Sequence, residues 1–174
     1  MKIVITGHTS GIGLTLANRL QQDHEIIGLS RSNGYDIDDT TAIVDAAVDC
    51  DVFINNAYCE YQQALLLQIM YSMWKDTDKQ IISIGSVVTN YPRSQVELED
   101  YPWPYRDHKI ALEKMFRKLA WERNSCSLHL ISPGPVDTQM VKHLKVPKLN
   151  PNSIVDVVLN IMYNRNIKEV TLWQ

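Results

Sequence analysis

Short apolar runs of strand length alternate along this chain with stretches whose apolar residues recur every third or fourth position. A continuous apolar run suits a strand buried on both faces, and the helical period suits its cover, so the alternation predicts βα units around a parallel sheet. Strands are expected at 2–6, 25–29, 35–37, 52–55, 80–84, 127–132 and 169–172, and helices at 12–22, 40–48, 62–74, 105–124 and 151–164. No repeat, low-complexity tract or compositional break divides the series, which predicts one domain over 1–174. Two irregular stretches stand out, 89–104 with Pro92, Pro102 and Pro104, and 133–150 with Pro133, Pro135 and Pro147, followed by Pro151. Proline blocks regular pairing, so both are expected as loops walling a substrate site on one side of the sheet.

The first strand runs directly into Thr6-Gly7-His8-Thr9-Ser10-Gly11-Ile12-Gly13, and the helical pattern Leu16, Ala17, Leu20 begins at once. In that setting Gly7 permits a tight turn, Gly11 lets the backbone approach a pyrophosphate, and Gly13 lets helix pack on strand. Thr9, Ser10, Gly11 and Ile12 would then present the helix N-terminus to the anion. The fold class expected is therefore α/β, a single doubly wound parallel sheet, a Rossmann fold. His8 is expected as an exposed loop residue. At the end of the second strand the chain reads Leu29-Ser30-Arg31-Ser32, with no carboxylate to bind free ribose hydroxyls. Arg31 offers a charged fork to a ribose phosphate, and Ser30 and Ser32 add hydroxyls, which favours NADP (NADPH) over NAD. Asp36, with Ile37, is placed for the adenine side.

Further along come Asn55-Asn56-Ala57, then Ser86, Tyr105-Arg106-Asp107-His108-Lys109 and Pro133-Gly134-Pro135-Val136. Together with the glycine loop, and in this order, these motifs resemble the short-chain dehydrogenase/reductase family. The resemblance implies an oxidoreductase in which Tyr105 is the acid/base, Lys109 its electrostatic partner and ribose ligand, and Ser86 the donor to the substrate oxygen. It also implies that Asn56 and Ala57 line the adenosine side, while Pro133, Gly134 and Val136, with Thr138, cradle the nicotinamide end. The residues themselves agree. A free tyrosine ionises near pH ~10, and Lys109, four positions on, shares its helix face. Pro104 suits a helix start, which adds the positive end of the helix dipole.

Three features depart from the family pattern. The interval from Ser86 to Tyr105 is long, the helical asparagine of the family's proton relay has no counterpart, and Tyr58 stands where glycine is common. The compact stretch between Leu29 and Asp51 also resembles the dTDP-sugar reductase branch.

Composition narrows the function classes. A net charge of −3 and a pI near 5.9 leave no basic stripe for nucleic acid. The three cysteines, Cys50, Cys59 and Cys126, lack metal or disulfide spacing and suit reduced thiols in the cytoplasm. No metal is expected, and the apolar start at residues 1–5 is too short for a leader or a membrane span. The broad apolar content of the helix after Lys109, with the helix at 62–74, leans toward a homodimer or homotetramer. Hydride transfer between a nicotinamide and a small carbonyl or alcohol leads. Alternatives are a non-catalytic NADP-binding sensor or scaffold and, ranked lower, a nucleotide-sugar reductase or epimerase.

Overall fold

The computed structural model describes residues 1–91, 103–122 and 125–173. Its elements follow the order β1 (Lys2–Thr6), α1 (Gly11–Leu20), β2 (Glu25–Leu29), α2 (Thr40–Ala47), β3 (Val52–Asn55), α3 (Gln62–Trp74), β4 (Gln80–Ile84), α4 (Trp103–Ala120), β5 (Ser127–Pro133), α5 (Pro151–Tyr163) and β6 (Glu169–Leu172). The strands form one parallel sheet in the order β2-β1-β3-β4-β5-β6. This is the Rossmann-type α/β sheet expected. The chain reverses direction across the sheet between β1 and β3, and a crevice opens beyond their carboxyl ends.

Alternation along each strand divides the core between the two faces. Val4, Phe53, Ile81, Leu128 and Leu130 face one way and pack against α2, α3 and α4. Ile3, Ile5, Val52, Ile54, Ile82 and Ile84 face the other way, against α1 and α5. Double-sided burial explains why β3 and β4 are mostly apolar without alternation, Val52-Phe53-Ile54 in one and Ile81, Ile82 and Ile84 in the other, since every residue in them is buried. The edge strands β2 and β6 are only partly covered. Local chemistry sets several helix starts. The Asp39 side chain accepts from the Ala42 N–H to open α2, and Asn150, followed by Pro151, opens α5 by accepting from the Asn152 N–H.

One expected strand is absent: residues 35–37 do not pair. The Ser30 N–H and hydroxyl both donate to Asn33 Oδ1, which winds Arg31–Asn33 into a 3-10 turn, and Gly34 follows at φ 90°. A second turn closes at once, with the Asp39 N–H donating to the Asp36 carbonyl. Too little chain lies between the turns to pair along β2. The apolar spacing of Tyr35 and Ile37 reflects their packing over the core margin beside β2. Helix α4 begins at Trp103, two residues before the expected start, so Tyr105 lies in its first turn. Of the two expected loops, residues 92–102, which include Tyr101, lie outside the described residues, as do 123–124 at the end of the expected fourth helix. The other is closed by a bridge between Val136 and Leu149.

Candidate active site

A cavity of about 690 Å³ lies across the carboxyl ends of β1 to β5, a volume suited to a small organic ligand. Every residue read above as catalytic or cofactor-binding lines it except Gly13. That glycine lies beneath the loop, where an added Cβ would stand 2.2 Å from the Gly7 carbonyl oxygen.

The glycine loop is shaped as its sequence demands. Gly7 and Gly11 adopt φ of 70° and 52°, the left-handed region that favours glycine. Ser10 caps α1 without spending its side chain on the helix's first N–H groups, so these stay available to an anion. The loop is pinned from β3: Thr6 Oγ1 accepts from the N–H groups of Asn56 (2.9 Å) and Ala57 (3.0 Å), and Asn56 Nδ2 donates to the Thr6 carbonyl at 2.9 Å. Asn56 thus shapes the loop while also lining the cavity. His8 is not the exposed residue expected. It is half-buried, its ring lying where a Cβ on Gly28 would otherwise stand.

At the β2 end, Ser30 and Ser32 hydrogen-bond through their hydroxyls at 2.8 Å, and exposed Arg31 lines the cavity without an ion pair among the described residues. Asp36 and Ile37 complete this end. The glycine cradle and the open helix terminus together fit a dinucleotide, with the cation of Arg31 beyond them. Gly7, Gly11 and the start of α1 would hold its pyrophosphate, and Arg31 a ribose phosphate.

At the other end Ser86 follows β4 through Gly85. Its Oγ accepts from the Val88 N–H at 3.3 Å, which leaves its own O–H to donate toward the cavity. The 3-10 turn Val87–Asn90 packs on α4, and Ser86, Tyr105 and Lys109 line the same cavity. Lys109 Nζ lies 5.6 Å from the Tyr105 ring centroid and 5.7 Å from that of Tyr58. Burial pushes the lysine down to about 7.

Two contacts here escaped the sequence reading. Gln63 of α3 is buried, and its Oε1 accepts from Lys109 Nζ at 2.6 Å. Tyr58 bonds His108 Nδ1 through its hydroxyl at 2.8 Å and sets its ring at an edge to Tyr105, with centroids 4.8 Å apart. Burial raises the Tyr58 ionisation, which keeps that hydroxyl protonated. The one available signal was an aromatic residue at the glycine position of the motif, because Gln63 is one of three glutamines in α3 and nothing local sets it apart. Among the described residues no group of His, Cys, Asp and Glu is arranged to hold a metal, and no helix is long and apolar enough to cross a membrane.

No family model matches the sequence, and no curated protein matches it by sequence. The fold is nonetheless that of solved short-chain dehydrogenases. The chain is similar to a short-chain dehydrogenase from Burkholderia cenocepacia J2315 in complex with NADP, at 21% identity and TM-score 0.78 over 99% of this chain and 88% of that one. It is similar to the 3-alpha-hydroxysteroid dehydrogenase from Pseudomonas sp. B-0831 complexed with NADH, at 16% identity and TM-score 0.79 over 98% and 94%. A short-chain dehydrogenase from Sphingobium yanoikuyae in complex with NADPH matches at 16% identity and TM-score 0.75, over 98% and 87%.

Proposed function

We propose that this protein is a single-domain, NADP-dependent oxidoreductase that interconverts a small carbonyl compound and its alcohol. The observation that carries the reading is one cavity lined by a glycine-rich anion cradle and Arg31 at one end and by Ser86, Tyr105 and Lys109 at the other. The solved structures of the same fold, with bound NADP, NADPH or NADH, support a nicotinamide cofactor. Arg31 and the absence of a carboxylate at the end of β2 favour NADP.

The cofactor, when bound, supplies or accepts a hydride. This chain's residues bind, orient and manage the proton. Ser86, held by its bond from Val88, donates its O–H to the substrate carbonyl oxygen. Tyr105 gives that oxygen a proton during reduction and takes it back during oxidation. The Lys109 ammonium, 5.6 Å from the ring, makes the phenolate less costly, which a tyrosine needs to exchange protons near neutrality. Tyr58 packs against Tyr105 and narrows the room beside it, which supports a small substrate. Exposed Tyr61, Leu65 and Met73 at and along α3 support the homodimer or homotetramer as part of this reading, with the reduced cytoplasm its setting because all three cysteines are free thiols.

The test is a fluorescence titration with NADPH and NADH on the wild type and Arg31→Ala, followed by turnover of a panel of small aldehydes and ketones by the wild type and Tyr105→Phe. Tighter binding of NADPH should fall by about 10- to 100-fold in Arg31→Ala, the worth of one charged phosphate contact. Turnover should collapse in Tyr105→Phe with NADPH affinity kept. NADPH binding without turnover in the wild type would favour a sensor or scaffold, and failure of both nucleotides to bind would sink the reading.

A further inference from the structure

Lys109 is 3% exposed, yet no carboxylate ion-pairs or hydrogen-bonds it among the described residues. Its neighbours are the rings of Tyr105 on its own helix and Tyr58 from the segment before α3, the Gln63 side chain on α3, and the carboxyl end of β4. A buried ammonium without a counter-ion is costly unless dipoles replace the lost water. Two carbonyl oxygens do so here, Gln63 Oε1 at 2.6 Å and the Ile84 main chain at 2.8 Å. Three N–H donors belong to an ammonium, so one remains for the cavity that Lys109 lines.

The Gln63 amide is itself fixed from several directions. Its Nε2 donates to the carbonyls of Asn55 (2.8 Å) and Ile84 (3.2 Å), and Asn55 Nδ2 donates back to the Gln63 main-chain carbonyl at 2.8 Å. With Nε2 committed to the ends of β3 and β4, only Oε1 can face Lys109. The amide therefore cannot flip to present a donor to the cation without breaking two bonds.

We propose that Gln63 is a positioning residue of this site: lodged between the carboxyl ends of β3 and β4, its amide holds the Lys109 ammonium in place and keeps it charged beside Tyr105. The inference rests on the oxidoreductase reading for its consequence, but the clamp itself is measurable without turnover.

The experiment follows the ¹³Cε resonance of Lys109 against pH in the full-length protein, assigned by its loss in Lys109→Met, for the wild type and the near-isosteric Gln63→Met. Without its amide acceptor the ammonium should release its proton about one pH unit lower. In parallel, the alkaline fall in NADPH-dependent reduction of 4-nitrobenzaldehyde should move upward, because Tyr105 loses its charged neighbour sooner. A merely structural Gln63 would lower the melting temperature and leave both curves in place, which overturns the inference. If Gln63→Met does not fold, the wild type decides: the Gln63 side-chain amide resonances should follow the Lys109 titration, and amide resonances indifferent to it overturn the clamp. A wild type that titrates as expected but reduces nothing and binds no NADPH sinks the oxidoreductase reading and leaves the clamp standing.

Discussion

Gly13 does not line the cavity described above, yet a methyl group there would stand 2.2 Å from the Gly7 carbonyl oxygen and 2.7 Å from Asn56 Nδ2. Both neighbours are anchored, Gly7 by its N–H to the Leu29 carbonyl and Asn56 by its bonds to Thr6, so neither yields without moving the loop. Gly13→Ala is therefore expected to cost about 1–3 kcal/mol of stability, the usual penalty of overpacking, and to abolish tight NADPH binding by displacing Gly7 and Gly11. Thermal melting and a nucleotide titration on the same sample check both halves. Gly28 provides a contrast. The atoms its Cβ would meet belong to the His8 ring, a side chain on a surface loop that can swing out, so Gly28→Ala should retain more of the binding. A Gly13→Ala protein that binds NADPH like the wild type would mean that the loop is not the anion cradle.

At the scale of elements, the joint between β1 and β3 connects sheet to site. One hydroxyl, Thr6 Oγ1, accepts two main-chain N–H groups at the end of β3 and lies 3.4 Å from the Ile54 carbonyl, to which it donates. Thr6→Val keeps the shape but leaves the Ala57 N–H without its acceptor, at about 1–3 kcal/mol if water does not reach it, and leaves the Asn56 N–H with the Ile54 carbonyl at 3.1 Å alone. The melting temperature and NADPH affinity should both fall, and Thr6→Ser, which restores the oxygen, should recover most of each. Recovery of neither would show that the methyl group, not the hydroxyl, holds the joint. The strands flanking this joint were legible because parallel strands buried on both faces read as continuous apolar runs. The motifs at their ends were legible because right-handed βα connections bring every strand's carboxyl end to one edge. The strand expected at 35–37 misled because Tyr35 and Ile37 are apolar for covering the core margin, while hydrogen bonds from Ser30 to Asn33 spend the local chain on a turn. The Gln63–Lys109 contact was illegible for a different reason: it spans 46 residues and exists only because α3 and α4 pack side by side. No local pattern encodes which of two adjacent glutamines faces inward across such a distance.

For the whole molecule, two buried basic side chains predict how stability depends on pH. His129 sits in the middle of β5, where burial pushes it down to about 4 from an ordinary 6.5 despite its bond to the Ile167 carbonyl. Between those values the unfolded chain binds a proton that the folded protein refuses, so stability rises with pH across the window and is lost as pH falls through it. The difference amounts to about 3 kcal/mol, and below about 4 this group adds no further loss. Lys109 acts with the same sign in a higher window. Its folded ionisation near 7 against an ordinary 10.5 means that the unfolded chain again holds the extra proton, so stability should climb a second time from neutral pH upward. Urea unfolding from pH 4 to 10 should therefore give two rising steps separated by a shoulder near neutrality. His129→Leu should flatten the lower step and spare the upper, while Lys109→Met does the reverse. The slope carries the information, because the leucine variant also leaves the Ile167 carbonyl without its donor and shifts absolute stability by an amount independent of pH. A lower step that survives His129→Leu would transfer that dependence to the carboxylates. NADPH should raise the curve, and if Lys109 must stay charged to hold the ribose, the ligand's stabilisation should shrink across the same pH range in which the upper step appears.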